Sequence, residues 1–200
     1  MDVDWSAYYR AIAGREPRPL FRTALERRGG GPPGEAIDLG CGDGTETLAL
    51  LGAGWRVTAV DLTAEAVSIV RTRVPADQAD RLVTQICAFI DARLPAADLV
   101  YAGFSLPFMA PPDFALVWPR LRAALRHGGI LAVDLFGPND SWAGTRDMTF
   151  LARSDIDQLL RGLEVLSLEE EDADGMAASG PKHWHLFKIV ARRPSAETVA

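Results

Sequence analysis

Three glycines at every second position, Gly40, Gly42 and Gly44, follow a carboxylate, Asp38, in the stretch EAIDLGCGDGTETLALL. A backbone this bare either turns tightly or lets a ligand touch main-chain N–H groups at the start of a helix. The spacing bears on the ligand class. A dinucleotide fingerprint needs G-x-G-x-x-G. Its third glycine falls on Thr45 when counted from Gly40, and on Thr47 when counted from Gly42. A carboxylate at the strand end also repels a pyrophosphate, whereas it attracts an ammonium or sulfonium group. The start of the helix suits a ligand carboxylate. A zwitterionic amino-acid moiety satisfies both. Asp61, 17 residues after Gly44, ends a second apolar run, WRVTAVD. A carboxylate there can accept two hydrogen bonds from a ribose diol, or serve as an acid at a helix N-terminus.

The histidines are the candidate bases. His183 and His185 flank Trp184. On a strand the two imidazoles share one face and the indole takes the other. They could pack at a sheet edge or serve an acceptor site. A metal reading needs a third ligand, and no H-x-x-H or C-x-x-C partner is present, so no metal is expected. His127 precedes Gly128 and Gly129, where a cation suits the end of a helix. Trp5, Tyr8 and Tyr9 stand at helical spacing, suited to packing or to a lid that excludes water.

These residues need elements to position them. Strands are predicted over 36–39, 55–61, 81–88, 97–104 and 130–136, alternating with helices over 45–52, 63–74 and 112–126. Thr63 is the expected N-cap of the helix after Asp61. Before the linker RGGGPPGE stand two helices, over 5–13 and 19–28. After the fifth strand, Ser154 is expected to cap a helix to 160. Strands over 163–170 and 183–191 follow, joined by the acidic EEEDADGMAASGPK, whose run Glu169 to Asp174 is expected to be a solvated edge. Strand–helix alternation predicts a doubly wound parallel sheet covered on both faces. The last pair, with no helix between its members, should run antiparallel at one edge.

The chain of 200 residues has a net charge of −6, is 48% hydrophobic and carries two cysteines, Cys41 and Cys87. Its size and composition predict one α/β domain, 1–200. The acidic balance argues against a phosphate-tracking nucleic-acid surface. The absence of an 18-residue apolar run or an apolar N-terminal core predicts a cytoplasmic protein with reduced thiols and no membrane span. Oligomeric state is not legible.

IDLGCGDGTETLALL, VTAVDLT, ADLVYAGFSLPF and LRHGGILAVDLF, in that order, resemble the successive motifs of class I S-adenosylmethionine (SAM) dependent methyltransferases, a Rossmann-like fold. The flanks WSAYYRAIAGREPRP, GPNDSWAG and GPKHWHLFKIVARRP resemble small bacterial methyltransferases of the tellurite-resistance group. The resemblance implies a helical lid over 1–30, a SAM-binding core over 35–136, and a substrate-side loop, helix and final strand pair over 137–193. It implies that Asp38 and the loop Gly40, Cys41, Gly42 and Gly44 hold the methionine part of SAM, with Tyr8 and Arg18 at its carboxylate. Asp61 would take the ribose and Leu62 the adenine face, with Phe89, Ile90 and Asp91 at the adenine edge. Gly103 and Phe104 would lie near the transferred methyl. Trp5, Tyr9, Ser105, Asp140, Trp142 and Trp184 would face the acceptor, and His183 or His185 would be the candidate base. The function implied is methylation of a small molecule, since the core uses nearly the whole chain. Alternatives are a peptide or protein side-chain methyltransferase and a SAM-binding protein without transfer activity. A nicotinamide oxidoreductase is disfavoured by Thr45 and Thr47.

Overall fold

The computed structural model describes residues 4–144 and 147–195. The expectations for residues 1–3, at the start of the lid, lie outside them. Seven strands form one sheet: β1 (Glu35–Leu39), β2 (Arg56–Asp61), β3 (Leu82–Ile86), β4 (Ala97–Ala102), β5 (Leu125–Phe136), β6 (Glu164–Ala177) and β7 (Gly180–Arg192). Their order across the sheet is β3-β2-β1-β4-β5-β7-β6. The first five are parallel, and β7 runs antiparallel to both β5 and β6. The sheet is therefore mostly parallel with its reversal at one edge, where β7 sits one place in and β6 is outermost.

Alternation along the strands divides the core into two layers. On β5, Leu131, Val133 and Leu135 join a cluster with Phe114, Val117, Trp118 and Leu121 of helix α5 (Pro111–Ala124) and Ile156 of α6 (Arg153–Leu159). Ile130 and Ala132 join the opposite cluster. There Leu20 and Phe21 of α2 (Pro19–Arg28), Leu50 and Leu51 of α3 (Thr45–Gly52) and Val70 of α4 (Ala64–Arg73) pack. Helix α1 (Trp5–Ala11) lies before these and is capped by the Asp4 carboxylate, which accepts from Ala7 N–H. The expected cap at Thr63 is present, its hydroxyl accepting from Ala66 N–H at 3.2 Å.

Three expectations need correction. The acidic run is a solvated edge as expected, but the last two strands are longer than 163–170 and 183–191. β6 continues through it to Ala177 and turns within two residues into β7, because cross-strand pairs hold it open as a hairpin. Lys188 bonds Glu171 at 2.7 Å, and His183 bridges Asp172 and Asp174 at 2.7 Å each. Its charges then blunt an outermost strand. His127 does not close a helix either. Helix α5 stops at Ala124, Leu125 pairs with Ala97, and His127 Nδ1 meets the Pro194 carbonyl at 2.9 Å. Long-range pairing there outweighs the local stop signal. Ser154 lies inside the first turn of α6 rather than at its cap, and the Asp155 carboxylate accepts from Ala152 N–H at 2.9 Å.

Among the described residues no helix is long and apolar enough to cross a membrane. Cys41 and Cys87 are free thiols.

Candidate active site

The ends of β1, β2, β3 and β4 open into one cavity of about 430 Å³, roofed by α1. A doubly wound sheet binds its ligands there, where strand order reverses between β1 and β4. The three glycines divide their work. Gly40 lines the cavity with φ +74°, and a Cβ on it would stand 2.4 Å from Ser105 Cβ. Gly42, at φ +51°, gives its N–H to Asp61 Oδ2 at 3.0 Å. Gly44 faces away. A Cβ there would meet Val70 Cγ2 at 2.7 Å, so its bareness serves the approach of α3 to α4. Asp38 is likewise not in the wall. Its buried carboxylate accepts from Thr47 Oγ1 at 2.6 Å, and desolvation pushes its pKa up to about 7.

Asp61 is the hub of the cofactor half. Its Oδ1 accepts from Thr63 N–H at 2.9 Å, from the Thr63 hydroxyl at 3.0 Å and from the Tyr9 hydroxyl at 3.3 Å. The last bond ties α1 to the strand end. Burial is the main reason that the Tyr9 phenol is pushed well above its ordinary range. Leu62, 65% exposed, forms the rim beside it, and Ala88, Phe89 and Ile90 line the same side. Asp91 belongs to the turn after them and does not reach the cavity.

Two residues that the sequence reading missed organise the other end. Arg15 donates from both terminal nitrogens to Glu46, at 2.6 and 2.5 Å, and Glu46 also accepts from Arg18 N–H at 2.9 Å. Glu46 is first-turn acid of α3, one step beyond the glycines, and that position was the available signal. Nothing in the sequence pairs it with Arg15. Arg18 donates to the Tyr8 hydroxyl at 2.7 Å and lies 4.8 Å over the Phe104 ring. Phe104 has φ +51°, and its N–H is held by Asp134 Oδ2 at 3.2 Å. Asp134 is fully buried on β5, and desolvation raises its pKa to about 7. Gly103 precedes it with no room to spare, since a Cβ would lie 2.2 Å from the Tyr101 hydroxyl.

Among the described residues three buried side-chain atoms lack a hydrogen-bond partner: Arg15 Nε, Tyr101 OH and Asp134 Oδ1. Arg15 and Tyr101 line the cavity, and Asp134 holds a residue that does. Buried polar atoms without partners are rare and mark a place where a polar ligand or water belongs.

The remaining expected acceptor residues separate into two layers. Trp5, Tyr9, Phe104 and Ser105 line the cavity, along with Phe108, Met109, Asp147 and Met148. Trp142 and Trp184 stand one layer behind. Trp184 lies 5.7 Å from Phe104, and Trp142 6.1 Å from Phe108, centroid to centroid. They and Phe136 surround the Lys182 ammonium at 4.3, 3.9 and 5.2 Å from their centroids. Lys182 forms a buried ion pair with Asp140, which also accepts from Trp142 N–H at 3.0 Å. Asp140 thus anchors the loop after β5 instead of facing an acceptor.

The two candidate bases lie outside the cavity. Asn139 N–H donates to His185 Nδ1 at 3.2 Å, so Nε2 carries the proton that Glu170 Oε1 receives at 3.1 Å. Both nitrogens are occupied. His183 is held by its two aspartates on the hairpin surface, and those bonds raise its pKa. No group of three or more His, Cys, Asp or Glu side chains among the described residues is arranged for a metal ion.

A family model described as "Methyltransferase domain" matches residues 37–131. A trans-aconitate 2-methyltransferase of Paracidovorax citrulli is 36% identical over 135 residues, covering 66% of this chain and 50% of that protein. The chain spans about half the length of the curated relatives it matches. The crystal structure of TehB from Haemophilus influenzae superposes with a TM-score of 0.74 at 14% identity, covering 94% of this chain and 67% of that one. A 1,6-didemethyltoxoflavin-N1-methyltransferase of Burkholderia thailandensis, crystallised with 1,6-didemethyltoxoflavin and S-adenosylhomocysteine (SAH), gives 0.69 at 20% identity, over 96% of this chain and 86% of that one. At such identities the two structures speak for the fold.

Proposed function

We propose that this chain is a class I SAM-dependent methyltransferase and that it methylates a small molecule held in the cavity beneath α1. The observation that carries the reading is the pair of partnerless polar atoms in the wall of the cavity that the glycine loop opens, Arg15 Nε and Tyr101 OH, with Asp134 Oδ1 behind Phe104. A site complete in itself would have satisfied them.

The residues fit the cofactor from end to end. Gly40, where a side chain would strike Ser105, leaves main chain bare for the amino-acid end. Arg18, with Tyr8, offers a cation to a carboxylate. Asp61 offers carboxylate lone pairs to ribose hydroxyls, and Leu62 and Phe89 offer apolar surface to a base. When bound, SAM supplies an electrophilic methyl group on a sulfonium. The chain's own part is then orientation and exclusion of water. Helix α1 closes the roof through Tyr9 to Asp61 and through Ser6 to Glu65. Positioning of this kind can lower a barrier by about 7–11 kcal/mol.

The test is a thermal shift with SAH, NAD and NADP, followed by SAH release from SAM with a panel of small acceptors. SAH at 100 times its Kd is expected to stabilise the fold by about 2.7 kcal/mol. A shift with NAD and none with SAH overturns the proposal.

A further inference from the structure

We infer that the acceptor presents an uncharged amino group on a flat, partly apolar aromatic or heteroaromatic scaffold, and that polyanionic acceptors are disfavoured. The inference rests on the methyl-transfer reading above and deepens it. Strand order assigns the halves of the cavity. The ends of β2 and β3 carry Asp61 and Phe89 on one side. The end of β4 and the segment after β5 carry Phe104, Phe108, Met109 and Met148 on the other, with Trp5 above them. Trp5 meets Phe108 edge to face at 5.1 Å. This half is lined by rings and thioethers, which suit a flat ligand.

Its charge is the discriminating feature. Among the described residues, the charged side chain of this half is Asp147, exposed and in no ion pair with a described residue. Both terminal nitrogens of Arg15 are committed to Glu46. Arg18, at the boundary, is one cation, and the amino-acid end of the cofactor brings one carboxylate to meet it. A polycarboxylate such as the trans-aconitate in the relatives' names would enter beside Asp147 with no further cation among the described residues of this half to meet it. Like charges brought together in a cavity are strongly disfavoured.

The same reasoning sorts nucleophiles. Phenols and thiols react as anions, so each must first lose a proton and then sit near Asp147. No imidazole is available to take that proton, since both nitrogens of His185 are engaged and His183 lies on the hairpin. Aliphatic amines are protonated near neutral pH, with a pKa of about 10. An amino group on an aromatic or heteroaromatic ring is neutral there, and its nitrogen carries both an N–H and a lone pair. That pair forms the N–CH3 bond as the S–CH3 bond breaks, and the electrons of the broken bond stay on sulfur as a thioether. The extra proton on nitrogen then leaves to Asp147 or to water. Before reaction the Asp147 carboxylate can accept the acceptor's N–H and orient the ring.

The experiment uses the full chain with saturating SAM. SAH release is measured for a heteroaromatic amine, the matching phenol and aryl thiol, and trans-aconitate, for the wild type and Asp147→Asn. The amine is expected to lead in kcat/KM. The variant is expected to lose roughly tenfold for the amine alone, the worth of one charge-assisted hydrogen bond, with SAH affinity unchanged. Preference for the phenol, the thiol or trans-aconitate overturns this inference and leaves methyl transfer standing. Absence of SAH binding overturns the methyl-transfer reading itself. Equal loss for all acceptors in Asp147→Asn removes Asp147 as the selecting group and overturns the charge argument.

Discussion

Charge is buried in two places in this molecule, and the two are handled in opposite ways. At the cavity wall and just behind it, Arg15, Tyr101 and Asp134 each keep a polar atom with no partner. Behind β5 and β7, the Lys182 ammonium has Asp140, the His183 carbonyl at 3.2 Å and three aromatic faces. The second arrangement is closed. It accounts for the loop 137–144, whose Asp140 and Trp142 both attach to it, and it stiffens the rings behind Phe104 and Phe108. The first is open and needs something brought to it. Sequence resemblance assigns both regions to one functional surface. The difference in satisfaction separates a scaffold from a binding site.

The sharpest way to break this comparison is Lys182→Met. It leaves the Asp140 carboxylate buried with its cation gone, and such a loss costs about 3–5 kcal/mol. The expected result is a large fall in the urea midpoint with SAH affinity little changed in the folded fraction. A parallel collapse of SAH affinity would mean the two regions are one.

Asp61→Ala should show the reverse pattern. Removing a charged acceptor of hydrogen bonds is expected to weaken SAH binding by about 1.5–3 kcal/mol, read by calorimetry. Asp61 also accepts from Gly42 and Thr63, so a smaller loss of stability accompanies it. Unchanged affinity in a folded variant would reduce Asp61 to a loop-ordering acid.

The smallest expected effect concerns pH. Asp38 and Asp134 both have pKa values raised to about 7 in the folded chain, against about 3.9 when unfolded. Between these values the folded state binds protons that the unfolded state has released. Their contribution to stability is therefore fully present below about pH 4, falls as pH rises to 7, and is gone above it. Asp134→Asn keeps an acceptor for Phe104 N–H and removes one titration. The variant is expected to gain on the wild type between pH 6 and pH 8, by on the order of 1 kcal/mol. Equal pH profiles for the two proteins would show that Asp134 does not titrate in this range.

Much of the fold was legible because its signals are local. Apolar runs ending in Asp38 and Asp61, the helix-capping Thr63 and the Gly-Pro linker each act within a few residues, and the structure has the corresponding elements. The glycine loop and Asp61 were legible for the same reason, since a turn and the strand end before it are set by neighbouring residues. What tertiary structure decided lies at long separation. The division of the glycines, with Gly44 serving α4 through Val70, depends on how two helices pack. The grip of Arg15 on Glu46 spans 31 residues, and that of Lys182 on Asp140 joins β7 to the loop after β5. His127 was read by its local stop signal and placed instead by strand pairing, and the acidic run, read as a solvated edge, is lengthened into a hairpin by cross-strand partners. Local sequence sets backbone conformation through sterics over a few residues. Which charges meet, and which are left waiting for a ligand, is settled when the sheet brings distant segments together.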